Sequence, residues 1–83
     1  MAEKEIGEVS TYFNQVEVAA IKLSGKLKVG DKIHVKGHTT DFVQAVDSMQ
    51  IDRKPVTEAK KGDEIGIKVK DRVRPNDKVF LVA

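Results

Sequence analysis

Hydrophobic and polar residues alternate with a period of two along much of this chain. In KIHVK, residues 32–36, Ile33 and Val35 fall on one side, while Lys32, His34 and Lys36 fall on the other. That period predicts a β-strand with one face against a core. The dipeptide Gly30-Asp31 leads into this strand. Gly62-Asp63 likewise leads into EIGIKVK, where Ile65, Ile67 and Val69 alternate with Glu64, Gly66, Lys68 and Lys70. A third, altered copy is Asn76-Asp77, which leads into KVFLVA. Each dipeptide predicts a tight turn, because Gly or Asn accepts positive φ and Asp bonds nearby backbone.

Other segments carry the same period. EIGEVSTYF, residues 5–13, reads as a strand with a bulge at Gly7, and VEVAAIKL, residues 16–23, as its neighbour across an Asn14-Gln15 turn. Ser24-Gly25 then turns the chain toward Leu27 and Val29. TDFVQAVDSMQI, residues 40–51, is long for one strand. Its apolar face changes between Phe42 and Met49, as a strand bending around a barrel corner requires. No segment longer than about two turns shows helical spacing, and residues 56–62 allow one helical turn at most. The elements together predict an all-β fold, a small antiparallel β-barrel of about six strands. Met49, Ile51, Phe42 and Phe80 are expected in its core, and Arg72-Val73-Arg74 in an exposed connection.

Length and composition narrow the function. A chain of 83 residues makes one domain, residues 1–83, with 1–5 expected to be a flexible N-terminus. It has little room for a deep active site beside a core. With no cysteine, neither disulfides nor a thiolate metal site hold it together. The charged N-terminus and the lack of a long apolar run suggest a cytoplasmic protein with no membrane partner. Residues 1–20 carry Lys4 against Glu3, Glu5, Glu8 and Glu17, net −3; residues 21–83 carry the other 14 basic and 9 acidic residues, net +5. That asymmetry suits a polyanionic partner, and equally a charge-rich surface that tolerates heat.

Catalytic motifs are lacking. AIKLSGKL, residues 20–27, approaches a phosphate-binding loop but has Ala20 for the first glycine and Leu27 for the hydroxyl residue, so no nucleotide hydrolysis by this chain is expected. His34 and His38 are four apart, but Gly37 breaks the strand between them; with Asp41 they make only a weak metal set. No serine sits in a recognisable nucleophile context. The expectation is a binding protein, not an enzyme, with no cofactor and no metal.

VDSMQIDRKPVTEAKKGDEIGIKVK, residues 46–70, resembles the second β-barrel domain of translational GTPases of the elongation factor 1-alpha and elongation factor Tu type. The positions that carry the resemblance are Val46, Ser48, Met49, Gln50, Pro55, Glu58, Ala59, Gly62, Asp63, Ile65 and Gly66. Upstream, GKLKVGDKI, residues 25–33, is similar to a second element of that domain. As a free-standing unit the sequence looks like the small proteins called translation elongation factor-like. A related barrel also occurs at the end of some collagenase-like peptidases, so the fold alone does not fix the task. Two departures stand out: residues 1–5 offer no counterpart to the strand that precedes this region in tRNA carriers, and Glu64 stands where those carriers usually have Asn.

The resemblance implies a non-catalytic, ribosome-associated module that contacts ribosomal RNA or tRNA. The residues expected to touch RNA phosphates are Lys32, His34, Lys36, Arg53, Lys54, Lys68, Lys70, Arg72 and Arg74. Gly25, Gly30, Asp31, Gly62, Asp63 and Gly66 are read as structural turn residues. The alternative is a protein-interaction adaptor that docks on an enzyme or GTPase with no RNA contact.

Overall fold

The computed structural model describes residues 3–82. Ten strands follow one another: β1 (Glu3–Phe13), β2 (Val18–Leu23), β3 (Leu27–Lys28), β4 (Lys32–Lys36), β5 (Asp41–Ala45), β6 (Met49–Ile51), β7 (Lys54–Val56), β8 (Glu58–Ala59), β9 (Glu64–Lys68) and β10 (Lys78–Val82). The fold is all-β, with no helix among the described residues. None of those residues therefore forms a helix long and apolar enough to cross a membrane.

Eight strands form one antiparallel sheet in the order β5-β4-β10-β1-β2-β9-β6-β7, and β3 pairs with β8 in a second, two-stranded sheet. The main sheet is open, with β5 and β7 at its edges. This corrects the expectation of a closed barrel of about six strands. The long segment 40–51 breaks into β5 and β6 at Val46–Ser48, so its two halves pair with different neighbours. Where a backbone ladder would have closed the barrel, a side chain spans the seam. The amide of Gln44 on β5 donates to the Lys68 carbonyl (3.0 Å) and accepts from the Lys70 N–H (2.9 Å) just beyond β9.

β1 is the longest strand and forms the spine. It slips register between Glu5 and Gly7 against β10, and between Val9 and Thr11 against β2. Two such bulges bend one strand between two neighbours and coil the sheet. Glu3, Lys4 and Glu5 pair with Val82, Leu81 and Phe80, so residues 3–5 are strand, a correction to the flexible N-terminus expected there; residues 1 and 2 lie outside the described residues. The inward sets of β1, β2, β4, β9 and β10, among them Ile6, Val9, Ile21, Ile33, Ile67 and Val79, make a single core that is almost fully buried.

Two expected placements change. Val73 is buried in the core although Arg72 and Arg74 beside it are exposed, so the connection after β9 is tacked down by Val73 as well as by Val69 at its start. Phe80 lies on the outer face of β10, its ring centroid 6.3 Å from that of His34, because Val79 takes the inward position.

The repeated dipeptides sit in three turns of one construction. Gly30, Gly62 and Asn76 have φ of 98°, 94° and 76°, the positive third position of a type II turn. The carboxylates of Asp31, Asp63 and Asp77 each accept the backbone N–H three residues earlier, from Lys28, Lys60 and Arg74, at 3.0, 3.0 and 2.9 Å. Each turn then grips one buried residue of another segment by both of its backbone groups. Gly30 N–H donates to the Val46 carbonyl and Val46 N–H to the Asp31 carbonyl, and the same pair of bonds joins Gly62-Asp63 to Leu23 and Asn76-Asp77 to Val9. The third turn is the most enclosed: Asp77 is buried, and a side chain at Gly37 would overlap its carboxylate.

Candidate functional site

The cations expected to meet RNA fall in three groups. Lys32, His34 and Lys36 face outward on β4; Arg53 and Lys54 sit at the β6–β7 tip; Lys68, Lys70, Arg72 and Arg74 follow one another along the end of β9 and the connection after it. Three strands, β10, β1 and β2, separate β4 from β9 in the sheet. The first group is interleaved with carboxylates. His34 lies between Glu3 and Asp41, and Lys78, beside Lys36 on β10, is 3.1 Å from Glu8 and 3.9 Å from Glu5. The face around β4 therefore carries both signs in close alternation, where a phosphate-binding surface would concentrate one.

The rows of side chains across this face explain the histidine contacts. Glu5, Phe80, His34 and Val43 stand in register across β1, β10, β4 and β5. Glu3 lies in the row on one side and Asp41 in the row on the other, so both reach His34 diagonally. The two acceptors raise the His34 pKa above its ordinary 6.5, the Asp41 contact contributing most and the Glu3 contact next, against a smaller opposing effect of burial. In return His34 holds Asp41 below the ordinary carboxylate value. His38 is exposed in the following loop, and no group of three or more His, Asp or Glu among the described residues is placed to hold a metal ion.

An open groove of about 840 Å³ lies between two hairpin tips. One wall is the β1–β2 tip with Phe13 and Val16, the other is the β6–β7 tip with Asp52 and Arg53, and Gln50 and Gly66 lie between them. Phe13 and Val16 are 52% and 58% exposed, two of the largest apolar exposures on the molecule. The tips are held in costly backbone: Glu17, Asp52 and Arg53 all have positive φ, a region that bulky L-residues seldom occupy. On the adjoining surface the Glu64 carboxylate lies 2.8 Å from Ser10 Oγ. The alternation of residues 5–13 and 16–23 hides this groove, because Val16 reads as a strand position when it belongs to the loop between β1 and β2, and Phe13, the last residue of β1, is exposed at the tip.

No family model matches the sequence. It is 46% identical over 79 residues to an uncharacterized protease of Methanocaldococcus jannaschii, covering 94% of this chain and 19% of that protein. It is 38% identical over 77 residues to a collagenase of Porphyromonas gingivalis, covering 90% of this chain and 21% of that protein. The chain thus spans about a fifth of the length of the curated relatives it matches. Its fold superimposes on the C-terminal domain of a U32 peptidase of Geobacillus thermoleovorans with a TM-score of 0.90 and 17% identity, covering 96% of this chain and 93% of that one. A selenomethionine variant of the same domain gives 0.87.

These findings overturn the resemblance to translational GTPases and the reading of a translation-associated, RNA-binding module that came with it. The relatives are named for proteolysis. The turn spacing that suggested a translation factor reports how the sheet is turned and not the task it serves.

Proposed function

We propose that this chain is the accessory β domain of a U32-type peptidase, working beside a catalytic portion and not as the catalytic portion itself. The observation that carries this reading is the 46% identity that runs through 94% of the chain yet occupies only 19% of the relative. A segment of that size, matched end to end, is what a domain shared between longer proteins looks like. The fold likeness to a domain that is C-terminal in its own peptidase supports the same reading. We assign the groove between the hairpin tips to contact with the rest of such an enzyme. Phe13 and Val16 expose apolar surface that gains from being covered, and the relatives hold about four-fifths of their chain outside the matched segment.

A chimera tests both statements. In the collagenase of Porphyromonas gingivalis, the matched segment is replaced by this chain, and hydrolysis of collagen is compared with the parent and with a deletion of the segment. The chimera should keep activity near the parent, and Phe13→Ser with Val16→Ser should reduce it toward the deletion. A folded chimera no more active than the deletion would refute the accessory role. A double variant as active as the unaltered chimera would remove the groove from it.

A further inference from the structure

Each ring nitrogen of His34 meets a different carboxylate. Nδ1 lies 2.9 Å from both oxygens of Glu3, and Nε2 contacts Asp41 Oδ1. A neutral imidazole has one N–H and one lone pair, so in this geometry it would turn a lone pair toward one of the two carboxylates. Only the imidazolium satisfies both. The other groups facing the ring are Glu5 on β1, Lys78 and Phe80 on β10, and Lys32 and Lys36 on its own strand. Lys78 is taken up by Glu8 and Glu5, and Lys36 stands in register with Asp41 and helps to keep it ionised. Glu3 and Asp41 are thus left to the ring.

The two carboxylates belong to strands that β4 does not hold equally. Glu3 is on β1, in the interior of the sheet. Asp41 begins β5, an edge strand with one backbone neighbour, and its side chain is 69% exposed against 40% for Glu3. When one bridge must open, Asp41 is the carboxylate that water can take up.

We propose that His34 is a proton-operated clasp on the edge of the sheet: protonated, it ties Asp41 and the start of β5 to the face shared with Glu3; deprotonated, it releases Asp41 to water and loosens that end of β5 on the β4 ladder. The clasp does not depend on the peptidase reading.

The test is NMR on the whole chain from about pH 5 to about pH 9, which brackets histidine titration. Ring nitrogen signals report the protonation of His34, with His38 as a second ring in the same molecule, and exchange corrected for its intrinsic pH dependence reports protection of the β5 amides. His34 should titrate above 6.5 with both nitrogens protonated below its midpoint. Protection of residues 42–45 should fall as pH rises and level off at that midpoint. The total fall should be about tenfold for each unit by which the midpoint exceeds that of Asp41→Asn, and Asp41→Asn should abolish the pH dependence in β5. Glu3→Gln, which keeps the Asp41 bridge, should lower the midpoint and preserve the β5 response. A His34 midpoint at or below 6.5, or β5 protection indifferent to the ring's protonation, overturns the proposal.

Discussion

Arg53 shows how a single residue can work against its own backbone. With Asp52 it forms the two-residue loop between β6 and β7, and both have positive φ, 54° and 65°. A type I′ loop of this kind favours Asn or Gly, because a side chain there costs about 1–2 kcal/mol in the left-handed region. Arg53→Gly should therefore stabilise the protein, by about 0.5–1 kcal/mol once the added freedom of the unfolded chain is subtracted. Urea unfolding of the two forms measures it; an equal or lower midpoint for the variant would mean that the arginine side chain contributes contacts that outweigh the strain. At this scale the sequence speaks clearly where chemistry is local. Gly30, Gly62 and Asn76 announce positive φ by type, whereas Asp52 and Arg53 do so only by position. The Glu3–His34 contact joins residues 31 apart, and no local pattern signals it.

Among the elements, β5 is held differently on its two sides. It pairs with β4 on one side, and its other side meets the end of β9 only through the amide of Gln44. That amide takes the place of a missing rung of backbone. Gln44→Ala removes a donor and an acceptor together and leaves the Lys68 carbonyl and the Lys70 N–H to water, so a loss of about 1–3 kcal/mol follows from two hydrogen bonds of ordinary net worth. Hydrogen exchange should show the loss concentrated at Lys70 and along β5, with the β1–β2 hairpin unchanged. Uniform loosening of all strands would mean that Gln44 serves the core and not the seam. Alternation made β4 and β9 legible, since Ile33, Val35, Ile65 and Ile67 mark their buried faces. It could not show that segment 40–51 divides into two strands, because Val46 is buried and continues the apolar pattern across the break.

For the whole molecule, the charges define a pH range of greatest stability. The His34 pKa is raised on folding, so its contribution is complete below 6.5 and is lost as pH rises through the higher folded value. Asp41 is shifted downward, and its contribution is present above 3.8 and lost as pH falls through the lower folded value. Lys78, held by Glu8 first and Glu5 next, is shifted upward from 10.5 and weakens only in strong alkali. Stability at low salt should be greatest between about pH 4 and about pH 6.5 and should decline toward alkaline pH. In His34→Gln that decline should disappear; its persistence would place the alkaline loss elsewhere. The all-β architecture could be read from patterning alone, but the use of the molecule could not. The turn spacing describes how such a sheet is turned and gripped, and says nothing of what the sheet serves.

The three turns that grip Val46, Leu23 and Val9 have one further consequence. KVGD, KKGD and RPND are spellings of one connector, and each engages its counterpart through main-chain atoms that every residue possesses. The grip is indifferent to the side chain of the residue it holds, and only the third turn adds a demand on a neighbour, at Gly37, where a side chain would overlap the Asp77 carboxylate. It can be copied, exchanged between positions, or carried into another lineage without a matching change at the residue it holds. The molecule is in this sense modular below the level of the domain: one grip, made three times, fixes three buried residues whose side chains it does not read.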